Sequence, residues 1–212
     1  MKAKPLIPLL DYLRIHNVIR SVLDSVDAHT AHACMFFSVA GAAILQGFYK
    51  KDAMPVAGAA FLLLDEQQRY AMSFATMEQG QVQSTDSSFH AMVLCDGYAI
   101  DFMAPTFPET CKAAGHPFIA QRRMFQKRWA DMAPSHEHLN RAGDFNFIPN
   151  PELTDDLLHS FYEKPASEDL VKVCLHWYKR PPKTILPELL MQNDLGEVTR
   201  IRLQNSVVTG IW

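Results

Sequence analysis

The sequence lacks the features that mark several large classes of protein. Its net charge is only −3, which does not suggest nucleic acid as a partner, and it contains no polybasic stretch of the kind that seeks a membrane surface. Its four cysteines, at positions 34, 95, 111 and 174, form no CxxC pair and no disulfide ladder, as is usual in a reducing compartment. No uninterrupted apolar run reaches the ~18 residues of a membrane span. We therefore expect a cytoplasmic protein that acts on a small molecule or a peptide.

The chain does contain enough apolar material for one sizeable core. Hydrophobic residues make up 48% of its 212 residues. It shows no repeat, low-complexity tract or linker, so a single domain over residues 1–212 is expected. A short apolar run near the N-terminus is broken by Asp11, Arg14 and His16, and no small-residue cleavage site follows it. We therefore expect no secretory signal.

Residues 30–47, TAHACMFFSVAGAAILQG, form the stretch around which the chain is organised. A helix that is apolar on all sides lies inside a fold rather than on its surface. Cys34 falls in the first turn of this helix if Thr30 or a neighbour supplies the cap. The start of a helix carries a partial positive charge, which favours a thiolate there. The sequence therefore places a cysteine where a nucleophile would be useful.

The remaining segments indicate helices, then antiparallel strands, then more helices. Apolar residues at helical spacing predict an amphipathic helix over residues 8–26. The dipeptide Asp96-Gly97 lies between two apolar runs, which is a strong signal for a two-residue hairpin. This order predicts an α+β fold in which the buried helix packs on an antiparallel sheet, with further helices around it. The other expected elements are hairpin strands within 88–94 and 98–103, strands at 56–64 and 69–75, helices at 152–162 and 167–178, a last strand or extended edge within 197–212, and loops or irregular structure at 76–87, 104–117 and 132–151.

The predicted hairpin brings a histidine and an aspartate together. With a two-residue turn at Asp96-Gly97, Met92 lies opposite Asp101. His90 is then the diagonal neighbour of Asp101 on the same face of the hairpin. Diagonal pairs are roughly 7 Å apart, which long side chains can span. Asp101 is also unusual in an otherwise apolar strand, because a buried carboxylate needs a partner. We therefore predict a hydrogen bond from one ring nitrogen of His90 to Asp101.

Cys34 completes a set of residues suited to nucleophilic catalysis. A thiolate nucleophile needs an imidazole to take its proton, and the imidazole needs a third group to orient it. If the buried helix packs on the face that carries His90 and Asp101, the three side chains meet. An oxyanion formed during acyl transfer would then lie against the amides of the first helical turn. No cofactor is needed for this chemistry.

The same residues carry a resemblance to a known superfamily. Cys34 at the head of a buried helix, then His90 in FHAMVL and Asp101 in YAIDFMAP, resembles the papain-like cysteine peptidases, in the transglutaminase-like and arylamine N-acetyltransferase branches. More narrowly, TAHACMFFSVAGAAIL and SSFHAMVLCDGYAIDFMAPTF are similar to a bacterial family of uncharacterised proteins placed in that superfamily, over residues 30–107. The resemblance implies a papain-like fold, with Cys34 as nucleophile, His90 as base and Asp101 as the orienting carboxylate. It implies a thiol-dependent hydrolase or acyltransferase that acts on an amide, peptide or thioester.

Other interpretations of these residues stay open. The chain could be a non-catalytic binding module on the same fold, with Cys34 merely packed, because a buried cysteine is usually a small hydrophobe. The pairs His29 with His32 and His136 with His138 contain too few ligands for a typical zinc site. The basic run at 121–128 could grip a phosphate, although a solvated face is the commoner role of such a run.

Overall fold

The computed structural model describes residues 5–28 and 33–212, and it shows a mixed α+β architecture. A curled antiparallel sheet lies at its centre, with helices packed around it. The helices are α1 (Leu9–Asp24), α2 (Cys34–Tyr49), α3 (Phe107–Ala113), α4 (Pro151–Tyr162) and α5 (Pro165–Trp177). The strands are β1 (Ala53–Asp65), β2 (Tyr70–Phe74), β3 (Thr76–Glu78), β4 (Gln81–Gln83), β5 (His90–Cys95), β6 (Tyr98–Asp101), β7 (Phe125–Arg128), β8 (Phe145–Pro149), β9 (Glu188–Gln192) and β10 (Val198–Arg202).

The long strand β1 organises the sheet. The strand order is β2-β1-β5-β6-β7, and β8 also pairs with β1. Gly58 has a partner on each edge of β1, because it pairs with His90 of β5 on one side and with Pro149 of β8 on the other. A Cβ atom at Gly58 would overlap the backbone carbonyl of Ile148. The absence of a side chain at Gly58 therefore allows β8 to approach β1 closely at this position.

The two faces of the sheet bury separate groups of apolar side chains. On one face, α1, α2 and α5 share a core with Ala57, Ala91 and Val93 of the sheet. On the other face, α3 and the strands β7 and β8 contribute Phe107 and a cluster of further rings. Almost the whole of α2 is buried, because its sequence offers no polar face to solvent. Among the described residues, no helix is long and apolar enough to cross a bilayer.

Most of the expected helices and the central hairpin are confirmed. The prediction of an α+β fold with a buried helix on an antiparallel sheet is confirmed, and α1, α2, α4 and α5 begin and end within a few residues of their predicted bounds. In the hairpin, Leu94 pairs with Ala99 and Cys95 with Tyr98, as expected. Asp96 has φ 47° and Gly97 has φ 77°, and this combination is typical of the type I′ turn that joins twisted strands.

Several segments expected to be irregular form regular structure. The segment at 104–117 contains α3, the basic run at 121–128 ends in β7, and the loop-rich segment at 132–151 contains β8. The expected cap Thr30 lies outside the described residues. The residue that precedes the first turn of α2 is Ala33, whose side chain makes no capping hydrogen bond.

Candidate active site

Cys34 is the first residue of α2 and lies at the positive end of that helix. The first intrahelical hydrogen bond runs from the amide of Phe37 to the carbonyl of Ala33, at 3.0 Å. The amides of Cys34, Met35 and Phe36 therefore have no acceptor within the helix, as at every helix start. These three N–H groups and the helix dipole favour negative charge beside the Cys34 sulfur.

His90 and Asp101 form a buried hydrogen bond across the hairpin. Nε2 of His90 donates to Oδ2 of Asp101 at 2.7 Å. The other carboxylate oxygen, Oδ1, accepts from the amide of Met103 at 2.8 Å. His90 is only 2% exposed and Asp101 only 3%, so little solvent competes for these bonds. The predicted diagonal contact is present, and it fixes the ring with Nδ1 as its remaining free nitrogen.

Helix α2 does not cover the face of the sheet that carries this pair. Its side chains share a core with Ala91 and Val93, which alternate with His90 along β5 and so point to the opposite face. The expectation that α2 packs on the face of His90 and Asp101 is therefore wrong. His90 and Cys34 still meet, because His90 is the first residue of its strand and Cys34 the first of its helix, and both line one cleft.

The imidazole of His90 is held between an acid and a thiol. Nδ1 is buried and makes no hydrogen bond of ordinary geometry to the described part of the chain, but the Cys34 thiol is close enough to act on the ring. Burial by itself lowers the pKa of His90, and the Asp101 carboxylate outweighs it. Together with the Cys34 sulfur, that carboxylate raises the pKa of His90 to about 10. The ring also stacks on Phe74, with centroids 4.4 Å apart.

Two side chains of helix α1 hydrogen-bond to backbone carbonyls at the end of β6. The hydroxyl of Tyr12 donates to the carbonyl of Asp101. Nδ1 of His16 hydrogen-bonds to the carbonyl of Phe102 at 2.8 Å, and its Nε2 lies 3.1 Å from the hydroxyl of Ser206. Neither Tyr12 nor His16 was expected at the site. The available signal was two polar-tipped side chains, four residues apart, on the apolar face of an amphipathic helix.

A cleft of about 500 Å³ opens at Cys34 and His90. This volume is within the range of small-molecule sites in proteins. Asp101 does not line the cleft, and its carboxylate contacts His90 behind it. Cys111 also lines the cleft, and burial raises the pKa of its thiol.

Comparison with known proteins places the chain in a family. A family described as "Protein of unknown function (DUF2026)" matches residues 8–212. The chain belongs to this family. A solved structure, described as "The crystal structure of genomics APC5867", is 34% identical in sequence, with a TM-score of 0.85, and the match covers 99% of this chain and 98% of that chain. No curated protein matches the chain. The α+β fold of this DUF2026 protein is therefore shared along nearly its full length with a solved structure.

Two other candidate residues of this DUF2026 protein, His136 and His138, make local contacts. His136 stacks on Phe61 with ring centroids 4.8 Å apart, and Nδ1 of His138 lies 2.8 Å from the Ser135 hydroxyl. His29 and His32 lie outside the described residues. Within residues 5–28 and 33–212, no three metal-ligating side chains cluster.

The basic run at 121–128 is engaged by acidic neighbours. Arg122 forms a two-point ion pair with Glu109, at 2.8 and 3.0 Å. Arg128 forms one with Asp131, at 2.6 and 2.9 Å. These pairings favour the interpretation of a structural and solvated segment over that of a phosphate grip.

Proposed function

We propose that this protein is a papain-like thiol enzyme, a hydrolase or acyltransferase that acts on an amide, peptide or thioester. One observation carries the proposal. Cys34 at the head of a buried helix and His90, hydrogen-bonded to Asp101, open together into a cleft of about 500 Å³. In this proposal Cys34 is the nucleophile, His90 moves the proton and Asp101 orients the ring.

The first half of the reaction forms an acyl-enzyme. The Cys34 thiolate attacks the substrate carbonyl carbon, a C–S bond forms and the carbonyl electron pair moves to oxygen. The oxyanion lies against the free amides of the first turn of α2. The intermediate then collapses, and Nδ1–H of the His90 imidazolium donates its proton to the leaving nitrogen or sulfur as that bond breaks. Cys34 is left acylated and His90 neutral.

The second half releases the acyl group. Neutral Nδ1 of His90 takes a proton from water, or from an acceptor amine or alcohol, as that group attacks the thioester carbonyl. The C–S bond breaks, and the Cys34 thiolate and the His90 imidazolium are restored. Hydrolysis and acyl transfer differ only in which nucleophile enters, so one site supports both.

The arrangement of the elements also supports a papain-like assignment. The nucleophile lies at the start of a buried helix, and the base and its acid lie on neighbouring antiparallel strands. All four cysteines are free thiols. A reducing, cytoplasmic compartment would keep the nucleophile in the form that this chemistry needs.

Acylation by an activated ester tests the proposal. Wild-type protein, Cys34→Ala, His90→Ala and the matched control Cys95→Ala are incubated with p-nitrophenyl acetate and with a panel of amides and thioesters. We expect turnover in the wild type and in Cys95→Ala, and an acetyl adduct on the Cys34 peptide by mass spectrometry. We expect both site variants to lose turnover. Turnover that survives Cys34→Ala, or acylation only at another cysteine, would contradict the proposal and favour a non-catalytic binding module.

A further inference from the structure

The cleft beside Cys34 has an unusual balance of charge. Among its described lining residues, one carboxylate, Asp86, lies at the exposed rim, and no lysine or arginine is present. The charge of the His90 imidazolium is already balanced by Asp101, to which its ring is hydrogen-bonded. A carboxylate or phosphate brought into this cleft away from the reacting centre would therefore lose solvation without gaining an unpaired cation, and Asp86 would repel it.

The wall of the cleft is aromatic. Four phenylalanine or tyrosine rings line it, together with His116. Tyr70 and Phe118 stack with centroids 4.5 Å apart, and His116 meets Tyr70 edge-on at 5.4 Å. Phe74 extends this surface to the catalytic centre, because its ring stacks on His90. Rings that pack on one another present a rigid surface for a further ring, and aromatic pairs attract one another beyond the effect of the area that they bury.

We propose that the cleft selects an uncharged substrate with an aromatic group close to the carbonyl that Cys34 attacks, and rejects substrates that carry a negative charge there. This inference rests on the proposed function, since it names the substrate class of the same site. The aromatic group lies on the wall formed by Tyr70 and Phe118. Asp86 at the rim supplies the rejection of anions.

Three alkylating probes of matched reactivity test the inference. They are N-methyl, N-benzyl and N-(4-carboxybenzyl) iodoacetamide, and the alkylation rate of Cys34 by each is divided by the rate with glutathione. We expect the benzyl probe to exceed the methyl probe by about tenfold. We expect the carboxybenzyl probe to fall below the benzyl probe by a similar factor. Phe118→Ala should lower the benzyl-to-methyl ratio, with Tyr70→Leu as a second variant if the first does not fold. Asp86→Asn should raise the rate with the carboxybenzyl probe.

The outcomes separate this inference from the proposed function. A Cys34 that reacts with all three probes no faster than glutathione removes the proposed function. A fast Cys34 with equal normalised rates for the methyl and benzyl probes overturns the aromatic pocket and leaves the thiol chemistry standing. A carboxybenzyl probe as fast as the benzyl probe overturns the rejection of anions.

Discussion

Replacing Asp101 with asparagine should uncouple the cysteine from its base while leaving the fold in place. In the wild type the carboxylate, against the effect of burial, raises the pKa of His90 to about 10. The ring is then an imidazolium at neutral pH and stabilises a thiolate at Cys34. Asparagine has the same shape, and its side-chain oxygen can still accept the amide of Met103. Asp101→Asn therefore removes a charge rather than a contact.

The variant also changes which ring nitrogen carries the proton. The asparagine NH₂ can only donate to Nε2 of His90, so the proton moves to Nδ1. Nδ1 then has no lone pair with which to accept the proton of the Cys34 thiol, and the histidine is lost as a base. Without the carboxylate, burial dominates, and the pKa of His90 falls below its ordinary value of 6.5.

The size of the effect follows from these values. The difference between about 10 and 6.5 corresponds to about 5 kcal/mol, at 1.36 kcal/mol for each pH unit. If the thiolate at Cys34 loses only a third of that energy in stabilisation, its alkylation at pH 6 slows by more than about tenfold. The assay is iodoacetamide labelling of each cysteine between pH 5 and pH 10, followed by mass spectrometry. We expect fast labelling of Cys34 at pH 6 in the wild type and slow labelling in Asp101→Asn.

The other cysteines serve as internal controls in the same spectra. Burial raises the pKa of Cys95 to about 11, and it also raises the pKa values of Cys111 and Cys174. These three thiols should therefore label slowly at pH 6 in both proteins. A folded Asp101→Asn variant that labels at Cys34 as fast as the wild type at pH 6 would refute the reasoning.

Stability provides a second measurement on the same pair of proteins. The pKa of His90 is raised in the folded state, so its contribution is fully present below pH 6.5 and is lost as the pH rises toward 10. Denaturant unfolding of the wild type should show this decline between pH 6.5 and pH 10. Asp101→Asn should not show it, because its ring is neutral across that window. If the unfolding free energy of both proteins falls equally over this pH range, the decline comes from titratable groups other than His90.

Three further sets of variants test the surroundings of the site. Burial lowers the pKa of His16 to about 4, so this residue should cost the wild type about 3 kcal/mol of unfolding free energy as the pH falls from 6.5 to 4. The variant His16→Asn has no imidazole to titrate, so its unfolding free energy should fall by about that much less over the same range. Phe74→Leu removes the ring that stacks on the imidazole of His90, and it should slow iodoacetamide labelling of Cys34 about two- to tenfold. An unchanged labelling rate would show that Phe74 does not position the histidine. Two glycines of α2 should respond to alanine in opposite ways in thermal unfolding. A methyl group at Gly47 meets no other atom, so Gly47→Ala should stabilise the fold by about 0.5–1 kcal/mol. A methyl group at Gly41 overlaps a buried ring, so Gly41→Ala should destabilise the fold by about 1 kcal/mol.

The pairing of His90 with Asp101 could be predicted because it depends only on local rules. A two-residue turn at Asp96-Gly97 sets the register, and the period of two along each strand sets the faces. Both rules act within about a dozen residues of sequence. The burial of α2 could also be predicted, because a helix without a polar face is not stable at the surface of a soluble fold.

The packing of α2 could not be predicted in the same way. Strand periodicity states which side chains share a face, but not which face receives the helix. Here the helix packs on the side of Ala91 and Val93, and the site forms at the ends of the elements rather than between them. β7 was missed for a related reason. Its sequence is basic rather than typical of a strand, and it is a strand because it pairs with β6. In that pairing Asp101 lies opposite Phe125, which is 24 residues later in the sequence.

The buried His90–Asp101 pair is better explained by chemistry than by stability. Each buried ion costs several kcal/mol of desolvation, and well-packed apolar residues are often as stable as such a pair. A structural pair would also use both ring nitrogens. Here Nδ1 makes no hydrogen bond of ordinary geometry to the described part of the chain, and the Cys34 thiol is close enough to act on the ring. An imidazole with one nitrogen fixed by a carboxylate and the other left beside a thiol fits the proton transfer that we propose for His90.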